Sequence, residues 1–284
     1  MQTFAVFAWE EITSPMTRAR DDDVGTGPAV VLLHGYPFDR SMWREQIDFL
    51  SAHGYRVVAP DLPGFGGSLN QADRTITTMA DMARAVAALM DKLAIVDASI
   101  CGLSMGGYIA FEFAQLFPRR VRALILAGTR APADNEQERQ ARAQQAEQML
   151  AHGMAEIADV SLPKLLAPCT LAEKPSVVAQ LREMISRADP KGAAAAQRGM
   201  AARRDYSADL PGINVPVLII VGRQDSIRPV ADAELMHRGL SNSRLKIIKD
   251  AAHMTNMEQP EAFNRALLAF MEALDNPAAA SPPS

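Results

Sequence analysis

Six short apolar runs, most of them closing on glycine, alternate along this chain with segments of helical period. No other feature constrains the fold as strongly. The runs are "PAVVLLHG", "YRVVAPDLPG", "ASICG", "VRALILAG", "VPVLIIVG" and "RLKIIKD". Between the first two, "RSMWREQIDFLSAHG" sets Trp43, Ile47 and Leu50 at helical spacing. Further helices are expected over 78–93, 106–117, 230–239 and 260–274. Runs apolar on both faces that alternate with helices call for a parallel sheet covered on two sides. The alternation stops after Gly128: the stretch from Arg130 to Leu210 holds helix formers and no convincing strand. "NEQERQARAQQAEQMLAHG" reads as an amphipathic helix, with others near Ala155, Ser176 and Gly192. The expected organisation is therefore an α/β core over 1–129 and 211–275, a helical cap over 130–210 inserted between two strands, and a disordered tail over 276–284. A cap in that position covers the carboxyl ends of the strands, where open α/β sheets bind ligands.

The run from Gly102 to Gly106, "GLSMG", sits where a strand becomes a helix. Glycine is disfavoured in both elements, so two of them around Ser104 signal a backbone too crowded for a β-carbon. The pattern G-x-S-x-G at that junction is a nucleophile elbow, a glycine-rich helix N-cap being the bland alternative. A serine hydroxyl needs a base, and the base needs an orienting acid. Of the five histidines, His53 and His152 each precede a glycine at a helix end, and His237 falls in a helix covering the sheet. His34, directly before Gly35, suits a structural hydrogen-bonding role. His253 follows the last strand and reaches the same sheet edge as Ser104. Asp225, just beyond "VPVLIIVG", is the candidate acid; Asp250, three residues before His253, competes with it.

The formal charge of −4 and the lack of a basic block argue against nucleic acid and anionic membrane as partners. Cys101 and Cys169 are far apart and without metal-ligand spacing, which predicts neither disulfide nor zinc site and fits a reducing compartment. The first residues lack the parts of a signal peptide, and no window is apolar long enough to span a bilayer, so a cytoplasmic protein is expected, monomeric or homodimeric.

Taken together, "LLHGYPFDRSMW", "VVAPDLPGFGGS", "GLSMGGYIAFEFA", "VPVLIIVGRQDSIRP" and "DAAHMTNMEQPEAF" resemble the α/β-hydrolase superfamily in order and separation. The likeness is to its capped bacterial carboxylesterases, enol-lactonases and perhydrolase-like enzymes, and it spans nearly the whole chain from Pro28. "FAVFAWEEI", ahead of Pro28, is the candidate for one further strand. The resemblance implies a mostly parallel sheet with helices on both faces, a triad of Ser104, Asp225 and His253, and an oxyanion hole made by the backbone N–H groups of Tyr36 and Met105. It also implies hydrolysis of a small ester or lactone with no cofactor and no metal. C–C bond hydrolysis, perhydrolysis and non-catalytic ligand binding remain open on the same fold. Tyr36 and Met105, with Met149, Met154, Met184 and Met200 of the cap, are the candidates to touch substrate, ordinary packing being the alternative for each cap methionine.

Overall fold

The computed structural model describes residues 27–71 and 77–276. The strand proposed for "FAVFAWEEI" and all but Asn276 of the predicted tail lie outside the described residues. Among the described residues six strands, β1 (Ala29–Leu33), β2 (Arg56–Val58), β3 (Ala98–Leu103), β4 (Val121–Ala127), β5 (Val217–Gly222) and β6 (Ser243–Ile248), form one sheet in the order β2-β1-β3-β4-β5-β6. Every neighbouring pair is parallel. The strand order reverses between β1 and β3, so the chain ends leaving these two strands open a crevice at the carboxyl edge.

Side chains alternate across each strand, and this is why the runs are apolar throughout. Val31, Leu33, Ile100, Leu124, Leu126 and Ile219 feed one core, against α2 (Met79–Lys92), α3 (Met105–Leu116) and α9 (Val230–Gly239). Val30, Leu32, Leu103, Ile125 and Ile220 feed the other, against α1 (Arg44–Ala52) and α11 (Pro260–Asp275). The β6 edge is blunted by exposed Arg244 and Lys246, which discourages pairing with another chain. Among the described residues no helix is long and apolar enough to cross a membrane.

Between β4 and β5 lie five α-helices, α4 (Glu136–His152), α5 (Ala155–Leu165), α6 (Pro168–Glu173), α7 (Pro175–Arg187) and α8 (Pro190–Ala201), followed by a 3-10 turn over Ser207–Gly212. α4 starts at a capping box in which Asn135 accepts from the Glu138 N–H and Glu138 accepts from the Asn135 N–H. It buries Ala146 and Met149 and leaves its other face to water. α4 packs on α8, and α5 on α7.

Charged groups tie this helical layer to the sheet. Arg187, in the last turn of α7, donates from Nη2 to Asp39 Oδ2 at 2.6 Å. Glu258, closing the short helix α10 (Thr255–Glu258), is fully buried, and its carboxylate accepts from Ala167 N at 2.7 Å, Thr170 Oγ1 at 2.8 Å and Ala252 N at 2.8 Å. Burial pushes this carboxyl above the usual range in spite of those donors. Glu258→Ala strands all three donors away from water, so we expect a loss of roughly 3 kcal/mol or more. In thermal melts that is a fall in Tm on the order of 10 °C. A change of less than about 2 °C would show that the joint carries no such weight.

Candidate active site

The elbow is built by steric exclusion. A Cβ at Gly102 would stand 2.1 Å from Gly106 O, and one at Gly106 would stand 2.2 Å from Leu33 O. Without glycine at both positions, β3 could not turn into α3 across the end of β1. Ser104 takes the whole bend, with φ 55° and ψ −111°. The turn is pinned by Ser104 N donating to Ala127 O at 2.8 Å and by Thr129 Oγ1 donating to Ser104 O at 2.9 Å. A strained residue held from both sides presents its side chain at the carboxyl edge of the sheet.

Two loops converge on that edge. After β5, Asp225 is locked by its own loop: Oδ1 accepts the N–H groups of Ile227 at 2.9 Å and Arg228 at 2.8 Å. After β6, His253 is held by its N–H on Leu165 O at 3.0 Å, so the end of α5 anchors the loop. The ring Nδ1 of His253 lies 2.8 Å from Asp225 Oδ2, with both residues buried. Burial alone would raise the Asp225 carboxyl, but the charge and hydrogen bond of His253 and the two loop N–H groups outweigh it, holding the group below the usual carboxylate range. It therefore stays ionised and fixes the proton on Nδ1, leaving Nε2 as the basic nitrogen. Asp250 stands exposed at a left-handed φ of 53°, and its carbonyl oxygen accepts from Gln259 Nε2. Of the two candidate acids, His253 faces Asp225. Among the described residues no hydrogen bond joins Ser104 Oγ to His253, a contact that in free enzymes often tightens when substrate arrives.

Ser104 and His253 both line a cavity of about 330 Å³, a size suited to a small molecule. Its walls come from the sheet edge (Tyr36, Pro37, Tyr108, Ile227, Arg228) and from α4, α5 and α8, including Met149, Ile157, Val160, Gln197 and Met200. Of the cap methionines expected there, Met149 and Met200 line the cavity, whereas Met154 and Met184 do not. Met154 is buried just before α5, and Met184 lies on α7, one layer behind α5, its sulfur 3.3 Å from Ser41 Oγ. The side chain of Met105 is likewise packed in the core and away from the cavity wall. Neither the Tyr36 N–H nor the Met105 N–H has a backbone acceptor among the described residues.

His34 is spoken for: Nδ1 donates to Gly35 O at 2.9 Å and Nε2 accepts from Leu62 N at 2.9 Å. Burial lowers its pKa, which keeps it neutral, and so it ties the loop after β1 to the "DLPGFGG" loop. Among the described residues no group of three or more His, Cys, Asp and Glu side chains converges as metal ligands would.

Sequence reasoning missed Tyr108, Arg142, Gln197 and Arg228 on the cavity wall. Tyr108 had a signal, since it lies four residues after Ser104 and so on the same face of α3. Burial raises the Tyr108 phenol, but the charges of Arg228, Arg203 and Arg142, with a hydrogen bond from Arg228, bring it below its ordinary value.

The sequence matches the profile of the alpha/beta hydrolase fold over residues 28–260. It is 31% identical to 3-oxoadipate enol-lactonase 2 of Acinetobacter baylyi, over 86% of this chain and 89% of that protein. Among solved structures, a thermophilic esterase from Thermogutta terrifontis superposes with a TM-score of 0.85 at 39% identity, covering 88% of this chain and 92% of the other. The enol-lactonase from Burkholderia xenovorans superposes with a TM-score of 0.81 at 31% identity, covering 87% and 92%.

Proposed function

The chain belongs to the α/β-hydrolase fold family, and from that membership we propose that it is a serine hydrolase cleaving a small carboxylic ester or lactone through an acyl-enzyme. Its esterase and enol-lactonase relatives make it a hydrolase acting on ester bonds. The finer reading rests on one observation: His253, oriented by Asp225 at 2.8 Å, borders the same cavity as a serine held at a strained elbow.

In this reading Ser104 Oγ attacks the substrate carbonyl while His253 Nε2 takes its proton. Asp225 holds the ring in the required tautomer and stabilises the imidazolium as it forms. The N–H groups of Tyr36 and Met105 receive the oxyanion, positioned by the ends of β1 and β3 that the glycine contacts press together. His253 then protonates the departing alcohol, or the enol oxygen of a lactone, and activates the water that releases the acid. Burst kinetics with p-nitrophenyl acetate and butyrate test this, the first turnover releasing nitrophenol faster than the steady state when deacylation is slow. Failure to turn over these esters and a panel of lactones would overturn it.

The cavity walls also predict chain-length preference. Met149→Ala and Met200→Ala each widen the cavity, so kcat/KM for acetyl relative to octanoyl esters should shift by roughly tenfold to two-hundredfold. Met184→Ala, behind α5, should lower Tm and leave the profile unchanged. Identical profiles for all three variants would remove the α4 and α8 methionines from substrate selection.

A further inference from the structure

Arg142, Lys164 and Arg228 line the cavity beside Ser104, and among the described residues no aspartate or glutamate does. The three cations are not equivalent. Arg142 is paired with Asp134, its Nε lying 2.5 Å from Oδ2, on a carboxylate that Arg130 and Arg203 share. Lys164 stands exposed on α5. Arg228 is only 9% exposed, and among the described residues no carboxylate comes within 4.0 Å of its guanidinium. Asp232 on α9 feels its charge without forming an ion pair. The donors of Arg228 go instead to neutral oxygens: Nε and Nη2 to Tyr108 Oη at 2.9 and 2.7 Å, and Nη1 to Ile227 O at 2.6 Å. A guanidinium cannot shed its proton, so a buried cation without a counter-ion is a standing electrostatic cost that an anion would relieve.

The Tyr108 hydroxyl sharpens this. Its oxygen receives two N–H groups from Arg228, which occupies both lone pairs and turns its own hydrogen away from Arg228. Arg203, stacked 4.1 Å from the ring centroid, keeps the ring in place. Arg228 is equally fixed, because its backbone N–H is held by Asp225 Oδ1. A fixed cation and a fixed O–H donor thus border a cavity that also has apolar wall, from Met149, Ile157 and Val160 among others, beside polar groups such as Gln145 and Gln197.

We propose that Arg228 and Tyr108 form a carboxylate-binding subsite, so that the preferred substrate is an ester or lactone bearing a carboxylate in addition to its scissile carbonyl. The substrate class rests on the hydrolase reading above; the binding of a carboxylate does not. A charge-assisted pair on a rigid guanidinium supplies the selectivity, and the apolar walls take the carbon chain between carboxylate and carbonyl.

The test compares matched pairs on the unmodified protein: monoethyl glutarate against ethyl valerate for a carboxylate on the acyl side, and carboxymethyl butyrate against propyl butyrate for one on the leaving-group side. In at least one pair the anionic ester should have the higher kcat/KM by roughly tenfold to a hundredfold, and the pair that responds says which side the subsite holds. Arg228→Gln should bring that ratio to within about threefold of one, and Tyr108→Phe, which keeps the ring beneath Arg203, should lower it severalfold. Calorimetry with glutarate supplies a readout independent of turnover, with binding expected to the unmodified protein and lost in Arg228→Gln. Ratios near one in both pairs, or a preference that survives Arg228→Gln, overturn the subsite while leaving ester hydrolysis standing. Absence of all ester turnover with Arg228-dependent glutarate binding supports the subsite and overturns the hydrolase reading instead. Neither turnover nor glutarate binding overturns both.

Discussion

Replacing Ser104 by alanine is expected to lower kcat on p-nitrophenyl butyrate by at least a thousandfold, and by up to roughly a millionfold, with the fold intact. The size of the effect follows from what remains. Without the hydroxyl there is no acyl-enzyme path, and the cavity with its two N–H donors can assist only direct attack by water. The fold should be insensitive because the strain of the elbow lies in the backbone: φ 55° at Ser104 is set by the closures at Gly102 and Gly106 and by the hydrogen bond to Ala127 O, none of which involves the hydroxyl. Unchanged thermal stability with kcat reduced by less than tenfold would take the nucleophile's role from Ser104.

The second large effect is at the acid. Asp225→Asn keeps the shape of the loop but presents an amide where His253 Nδ1 needs an anion, so the ring loses its enforced tautomer and the imidazolium its counter-charge. We expect a fall in kcat of about ten-thousandfold with a small change in KM. Asp250→Asn should change kcat by less than about threefold, since that side chain is exposed and His253 is hydrogen bonded to Asp225. A larger loss at Asp250 than at Asp225 would reverse the assignment.

Much of this arrangement is legible along the chain because it depends on local, strong constraints. Valines and leucines facing both ways in "AVVLL" and "VLIIVG" have no stable home but a strand buried on two sides, and strands of that kind separated by helices must be parallel. Gly102 and Gly106 are forced because a Cβ at either position would stand about 2 Å from a backbone oxygen, so the elbow announces itself in five residues. Asp225 and His253 follow because each ends a strand at the edge already marked by Ser104.

The cavity wall is a different matter. The amphipathic helix expected for α4 has almost no apolar stripe: it is polar nearly all round and buries only Ala146 and Met149, so nothing in "QERQARAQQAEQM" says that Arg142, Gln145, Gln148 and Met149 border the cavity. Met184 and Met149 look alike as flexible apolar residues on helices; what separates them is that α7 stacks on α5 whereas α4 stands over the sheet edge, a relation between distant elements. Arg228 is hidden for a related reason. An arginine after a strand is ordinarily a solvated one, and its burial against Tyr108 depends on α3 and the β5 loop meeting 120 residues apart.

The central claim is that the reaction passes through an ester on Ser104. Intact-mass spectrometry after treatment with a fluorophosphonate, followed by peptide mapping, tests it most directly. One adduct per chain, carried by the peptide containing Ser104 and absent from Ser104→Ala, is the predicted result; an adduct on another residue, or equal labelling of the alanine variant, would contradict it.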